Sequence, residues 1–303
     1  MPFTKRREFL FLYTVKDANP NGDPLNDNHP RYDEETAQAL ASDVRIKRTI
    51  RDEWIRQGHL VLVDGEAKSL KTRFEEVKAA TNNKEAKEVI GSCIDARLFG
   101  VTFALGNVAF SWTGPVQFKW ARSLNAATFD FVQGTSAFAT EGKTGDKQQR
   151  SFRNEYKVPF ALMAVYGIAN QYAARVTGAT ERDLEALVTA LWNGTDNLIT
   201  RSKNEHKSRF LLEVTYKEGF YGKIGGMDEK LRLVSLEGEE FDREQQKALR
   251  SLAELKVDVS PLVEAILDRK EEIEKVKVIH DGELMLVGLE ALDEAPGFQM
   301  EVR

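Results

Sequence analysis

Residues 9–15, Phe-Leu-Phe-Leu-Tyr-Thr-Val, are apolar on both alternating faces, which predicts a central strand covered on two sides. The run breaks at residues 17–24, Asp-Ala-Asn-Pro-Asn-Gly-Asp-Pro. Here the prolines fix φ, the glycine permits φ > 0, and Asn and Asp side chains cap their own backbone. Polar residues continue to Asp33, far beyond what a hairpin needs, and long ordered loops on rigid scaffolds are where binding surfaces usually lie. Residues 34–57 then predict a helix ending at Gly58, with Leu40, Val44, Ile46, Ile50, Trp54 and Ile55 in a wide apolar arc. Arg45, Arg48, Asp52 and Arg56 fall on the opposite side, whereas Lys47 and Arg51 fall inside the arc. Two cations there either snorkel past the core to water or reach an anion lying against the sheet.

Further on, residues 59–64 are a short strand candidate, and residues 69–89 predict a charged amphipathic helix with a break at Asn82-Asn83. The stretch at about 60–92 is expected as a peripheral, fingers-like helical lobe. Residues 94–99 close on Gly100. Alternation from Val108 to Trp120, interrupted by Gly114-Pro115, predicts two strands or one bent strand. Residues 129–149 carry little regular signal and much Gly, Thr, Gln and Lys, the composition of a projecting arm. Residues 158–166 read equally as a strand or as the start of a buried helix. Thr180-Glu181-Arg182-Asp183 opens like a capping box, and a helix follows through Leu184, Leu187, Val188 and Leu191. A strand at 208–216, a Gly-rich loop at 219–226 and a strand at 231–236 come next. Charged helices are expected at 241–252 and 261–275, with a hairpin at 276–289 around Asp281-Gly282. This order predicts an α+β chain with a heavily decorated β-α-β-β-α-β core, a single elaborated domain spanning 1–303 with an acidic C-terminal lobe at about 228–303.

Charge changes this picture more than length does. The chain has 303 residues, 42% of them hydrophobic, and a formal net charge of -5, which excludes a generally DNA-coating protein. The charge is uneven, however. Residues 97–159 hold Lys119, Arg122, Lys143, Lys147, Arg150, Arg153 and Lys157 against few acids. Beyond Met227 acids outnumber bases by roughly two to one. A polyanion would bind the first part and avoid the last. The single Cys93 excludes a disulfide framework and fits a reducing compartment. With no apolar run long enough to span a bilayer and Lys5, Arg6, Arg7 and Glu8 before the first apolar stretch, a cytoplasmic protein with no membrane partner is expected.

Catalytic patterns are missing from the sequence. His29, His59, His206 and His280 have no metal-ligand spacing, no GxSxG occurs, and the Gly-rich loop lacks the phosphate-loop pattern. No cofactor and no metal are expected. Asp17 and Asp23 read as turn-capping carboxylates rather than cation ligands. The best-supported chemistry for these cations and aromatics is single-strand RNA binding, in which Lys and Arg hold phosphates while aromatic side chains stack or wedge between bases. Candidate cations are Lys16, Arg45, Lys47, Arg48, Arg51, Arg97, Lys119, Arg122, Arg150, Arg153 and Lys223, with Phe129, Phe131, Phe138 and Phe152 in or beside the arm. No match to the RNA-recognition-motif consensus exists, so base-specific reading is not expected.

Specific blocks sharpen this. VKDANPNGDPLNDNHP from Val15, DVRIKRTIRD from Asp43, CIDARLFG from Cys93, TGPVQFKWARSLN from Thr113, FRNEYKVPFALMAVYGIAN from Phe152 and GTDNLITRSK from Gly194 resemble the backbone subunit of type I-B CRISPR Cascade complexes. That subunit belongs to the RAMP superfamily and is similar to, and easily confused with, the type I-C backbone subunit. The resemblance covers roughly two thirds of the chain in family order. It implies a non-catalytic subunit that polymerises head-to-tail along the spacer of a CRISPR RNA, beside other Cascade subunits, leaving the guide free to pair with target DNA. It also implies a modified RRM or ferredoxin-like palm, a thumb arm at about 129–152, and Asn19, Asn21 and Ser123 as further RNA-binding residues. Two other classes stand as alternatives: a type III-like subunit that cuts target RNA with a loop aspartate, and a small-molecule enzyme using the Asp-rich loop.

Overall fold

The computed structural model describes residues 1–135 and 152–303 of the chain. The apolar stretch at the start lies in the strand Arg7–Ala18, at the middle of a ten-stranded sheet. It pairs antiparallel with the long strand Phe152–Ala169 on one side and with His206–Tyr216 on the other. Beyond His206–Tyr216 come Ile273–His280, antiparallel, and Gln299–Val302, parallel. Beyond the long strand come Ala121–Ser123, Gln38–Ala41 and Tyr32–Asp33. The long strand also settles residues 158–166, which run as strand and not as helix.

Both faces of this sheet are covered, as the two-sided apolar pattern requires. Phe9, Phe11, Tyr13 and Val15 face the helices Asp43–Arg56 and Glu181–Asp196, meeting Ile46, Ile50, Trp54, Leu187 and Leu191. Leu10 and Leu12 face the other way, into a second core with Phe210, Leu212, Leu255, Leu262 and Ile266. Each fully buried side chain of this size contributes about 1.5–3 kcal/mol. The C-terminal segment therefore supplies the second cover of the sheet as well as two of its strands. Between the two helices the approach is close. Trp54 Nε1 donates to Ala186 O at 3.1 Å, and a Cβ on Gly194 would sit 3.0 Å from Glu53 Cβ and from Thr49 O. We expect Gly194→Val to lower stability by ~1–3 kcal/mol, read as a fall in the urea midpoint at unchanged slope.

Several local expectations are corrected. Residues 34–57 are not one helix: Gln38–Ala41 is a strand, and the helix starts at Asp43. Ala37 adopts φ 59, and the Ser42 side chain accepts from Arg45 N as the N-cap, so the stop signals lie inside the apolar arc. Residues 59–64 form no strand; Leu62 N and Val63 N donate to Asp95 instead of to a neighbouring strand. Asn82, at φ 56, ends the helix Leu70–Thr81. That helix, Ala86–Gly91 and the hairpin of Gly100–Leu105 with Val108–Thr113 share a separate small core of Leu62, Phe74, Val77, Ile90 and Phe103. The lobe thus extends past residue 92. Cys93 is buried in it, its thiol pushed up to about 12 by desolvation and then by Asp95, so it stays protonated and inert. Near the C-terminus the helices are short, Arg243–Ala248 and Ser260–Leu267. The expected hairpin at 276–289 is replaced by Ile273–His280 in the main sheet and Leu286–Val287 in a small one. Buried Ile273, Val276, Val278 and Ile279 are what pull that segment out of helix.

Candidate nucleic-acid interface

The opening loop leaves the central strand at Asp17, whose φ is 47, and folds back on itself. Asn19 Nδ2 donates to Asn28 O at 2.8 Å, and Gly22–Asp23 pairs with His29–Pro30. A side chain at Gly22 would meet Asn28 O at 3.0 Å, so glycine permits this close return. Asn21 Oδ1 accepts from Ser42 N at 2.9 Å and Ser42 Oγ at 3.0 Å, tying the loop to the residue that caps the helix Asp43–Arg56. Asp23 accepts from Leu25 N and Arg31 Nη2, and Asp17 accepts from Lys157 Nζ at 2.8 Å. These two carboxylates serve a turn and two separate ion pairs.

Two clefts flank the loop. The first, about 270 Å³, is lined by Asn19, Asn21, Arg45, Tyr156, Arg201 and Lys203, with Asp27 and Glu155 among its other walls. Arg45 Nη2 donates to Thr49 Oγ1 at 3.0 Å and lies 3.9 Å from Asp52, while its Nε is buried with no partner among the described residues. Among the described residues Lys203 makes no ion pair; its Nζ reaches Ser202 Oγ at 3.4 Å. Burial, then the field of Arg45, holds the Lys203 ammonium down to about 8, and burial lowers Arg45 too. Two half-buried cations that repel each other are a prepared site for an anion.

His206 lies beneath them, stacked on Tyr13 at 5.9 Å, with neither ring nitrogen partnered among the described residues. Burial, Lys203 and Arg45 depress it to about 3, so it is neutral at pH 7. The unfolded chain binds that proton near pH 6.5, so stability is fully present above pH 6.5 and is lost as pH falls toward 3. We expect His206→Phe to flatten the acid side of the stability–pH profile, measured by urea unfolding between pH 4 and 7.

The second cleft is wider, about 820 Å³, and is lined by Asp23, Asn26, His29, Arg31, Tyr32, Trp120 and Phe129 among others. Arg31 lies over the exposed Trp120 ring at 5.9 Å. His29 contacts Phe129 at 4.3 Å and Tyr156 at 4.5 Å, and Tyr32 Oη donates to Ala127 O at 2.9 Å. This aromatic cluster anchors the pairing of Asp130–Thr135 with the long strand to the opening loop.

Of the expected site residues, Asn19, Asn21 and Arg45 come together at the first cleft. Lys16 is exposed on the other side of the sheet, beside Lys207 and Arg209. Lys47 and Arg51 both lie against the Phe99 ring, at 5.5 and 5.2 Å. The anions they reach are the chain's own: Asp43 at 3.1 Å for Lys47, and buried Asp95 at 2.8 Å for Arg51. Each is thus paired within the chain, an outcome beside the snorkelling and external-anion readings. Arg48 binds Asp52 and Val63 O, Arg97 binds Asp183 at 2.6 Å, Lys119 binds Asp228 at 2.9 Å, and Arg122 binds Asp33 at 2.8 Å. Ser123 is buried, accepting from Ala39 N and donating to Asn125 O. Phe152 and Arg153 open the long strand; Phe138 and Arg150 lie outside the described residues.

The Gly-rich loop is likewise turned inward. Its amides do hold an anion, but an internal one. Ile224 N and Gly225 N donate to the two carboxylate oxygens of Glu8 at 2.7 and 2.8 Å, and the hydroxyls of Tyr166 and Tyr216 donate to the same group. Lys223 is exposed beside them. Residues that sequence reasoning passed over are Arg31, Trp120, Tyr156, Arg201 and Lys203. Arg201 and Lys203 stand in the block GTDNLITRSK, so their signal was present without a position in space.

Comparisons with known proteins agree on one family. The family model described as CRISPR-associated protein Cas7 matches residues 5–260. A curated CRISPR-associated protein Cas7 from Haloferax volcanii is 28% identical over 316 residues, spanning 94% of this chain and 90% of that protein. A chain of a solved "CRISPR RNA-guided surveillance complex, pre-nicking" shares the fold at a TM-score of 0.55 and 12% identity, over 93% of this chain and 96% of that one. A chain of another CRISPR RNA-guided surveillance complex does so at 0.51 and 14%, over 91% and 88%.

Proposed function

The chain belongs to the CRISPR-associated Cas7 family, and from that premise we propose that it is the guide-RNA-binding backbone subunit of a type I-B Cascade. The observation that carries the reading is the Arg45–Lys203 pair at the head of the first cleft, two half-buried cations, Lys203 having no carboxylate within ion-pair distance among the described residues. A phosphate between them would relieve their repulsion. Aromatic rings on both sides of the loop, Tyr156 and Trp120, are placed to stack on bases without reading them. An RRM-like palm is supported by the order of the central strands. His206–Tyr216, Arg7–Ala18, Phe152–Ala169 and Ala121–Ser123 stand in the sequence order 4-1-3-2, with helices Asp43–Arg56 and Glu181–Asp196 as the two crossovers.

In this account several copies line the guide head-to-tail, an open helical arrangement rather than a closed ring, with other Cascade subunits at its ends. The arm at about 129–152, of which residues 136–151 lie outside the described residues, is assigned the thumb's role by the family resemblance alone. Sequence recognition is left to pairing between guide and target DNA. The protein performs no chemistry. Asp17 and Asp23 are engaged by Lys157 and by the loop's own turn, which favours this over a nuclease. The test is purification with guide RNA. Ordered particles containing many copies per guide are expected, with no magnesium-dependent RNA cleavage. Solitary chains that ignore the guide at physiological salt, or cleavage abolished by Asp23→Ala, would overturn it.

A further inference from the structure

We propose that the end of the sheet remote from the cleft carries a second docking surface, which takes single-stranded nucleic acid other than the segment held in the same copy's cleft. It rests on the guide-binding reading only in supposing that such strands come near. The surface is built on Tyr172, Tyr221, Arg6, Arg175 and Lys223. Tyr221 is 76% exposed and Tyr172 42% exposed, and their rings meet edge to face at 5.7 Å. Each is backed by a guanidinium, Arg6 at 5.0 Å from the Tyr221 ring and Arg175 at 5.3 Å from the Tyr172 ring.

Arg6 is held rigidly. It donates to Gln171 Oε1 at 3.1 Å, Gly222 O at 3.1 Å and Asn170 Oδ1 at 3.4 Å, all neutral acceptors. No carboxylate forms an ion pair with Arg6, Arg175 or Lys223 among the described residues, so a guanidinium backs each ring and exposed Lys223 follows Tyr221 two residues along the loop. A rigid exposed ring with a cation beneath it and a lysine beside it is the pattern that stacks a base and neutralises its phosphate. The apolar remainder is small, essentially Val176, far short of the roughly 800 Å² per partner that a stable protein contact buries. The loop is locked from below by Glu8, which holds the amides of Ile224 and Gly225. Arg7–Ala18 separates this patch from the cleft by roughly 40 Å, so one short segment cannot occupy both.

The test uses the full chain loaded with guide RNA, and a fluorescein-labelled oligo-dT with no complementarity to that guide. Anisotropy should report binding that Tyr172→Ser/Tyr221→Ser weakens about tenfold or more, whereas Tyr172→Phe/Tyr221→Phe preserves it because the rings remain. Guide retention should be unchanged in both variants. An oligonucleotide affinity untouched by the serine pair, or no binding by the unaltered chain, overturns the proposal. So does a loss of self-association in sedimentation with oligonucleotide binding intact, which would assign the patch to a contact between copies. If the chain fails to retain guide at all, the cleft reading fails separately, and the RNA-free chain still gives the anisotropy result.

Discussion

Glu8→Ala is expected to remove about 3–5 kcal/mol of stability, among the largest single losses available in this chain. The carboxylate is fully buried and accepts from two tyrosine hydroxyls and two loop amides. Desolvation, reinforced by Glu8, keeps both hydroxyls far above their ordinary range, so they remain donors at every accessible pH. Removing the acceptor leaves these donors buried and unsatisfied, which is more costly than the mean value of the bonds they made. Glu8→Gln keeps the volume but turns an NH2 toward groups that also donate, and about half of the loss is expected. Urea unfolding followed by fluorescence measures both. The loop at residues 219–226 should loosen before the sheet does, seen as faster amide exchange at Ile224 and Gly225 than at Leu211.

The second large effect is on guide binding. Arg45→Gln/Lys203→Gln should weaken guide RNA by about tenfold or more and flatten the dependence of affinity on salt by ~0.7 for each phosphate that the variant leaves unneutralised. The pH dependence carries a sign that separates this site from ordinary surface lysines. In the free protein Lys203 loses its proton near 8, against 10.5 in the unfolded chain. Between those values the folded state binds fewer protons than the unfolded one, so stability without RNA rises with pH over that window. Affinity for RNA runs the other way. A bound phosphate favours the ammonium, so affinity is steady below pH 8 and falls above it. Lys203→Met should abolish both slopes. An exposed lysine would give neither slope below pH 9.5.

Much of the scaffold was legible in the sequence, because two-sided burial leaves a period that survives any context. Residues 9–15 could only be a central strand, and Thr180 with Asp183 forms the capping box its spacing announced. Segments whose neighbours decide their state were not legible. Residues 273–280 carry helix-forming charges, yet alternate buried Ile and Val against His206–Tyr216, and the sheet wins. The site divided along similar lines. Asn19 and Asn21 entered through the family resemblance; what was legible in the residues themselves was their turn chemistry, which is local. Cations were harder, since a guanidinium that reaches phosphate and one that reaches a carboxylate look alike in one dimension. Arg51 and Arg97 found Asp95 and Asp183, 44 and 86 residues away. Lys203 found none among the described residues, and only the fold reveals that.

The most direct test is crosslinking with a guide RNA carrying photoreactive uridines, followed by mapping of the adducts on the full-length chain. Adducts at Tyr156 and along residues 199–203, lost in Arg45→Gln/Lys203→Gln, are what this account predicts. Adducts confined to the helix face of Lys47 and Arg51, with residues 199–203 clean, would contradict it.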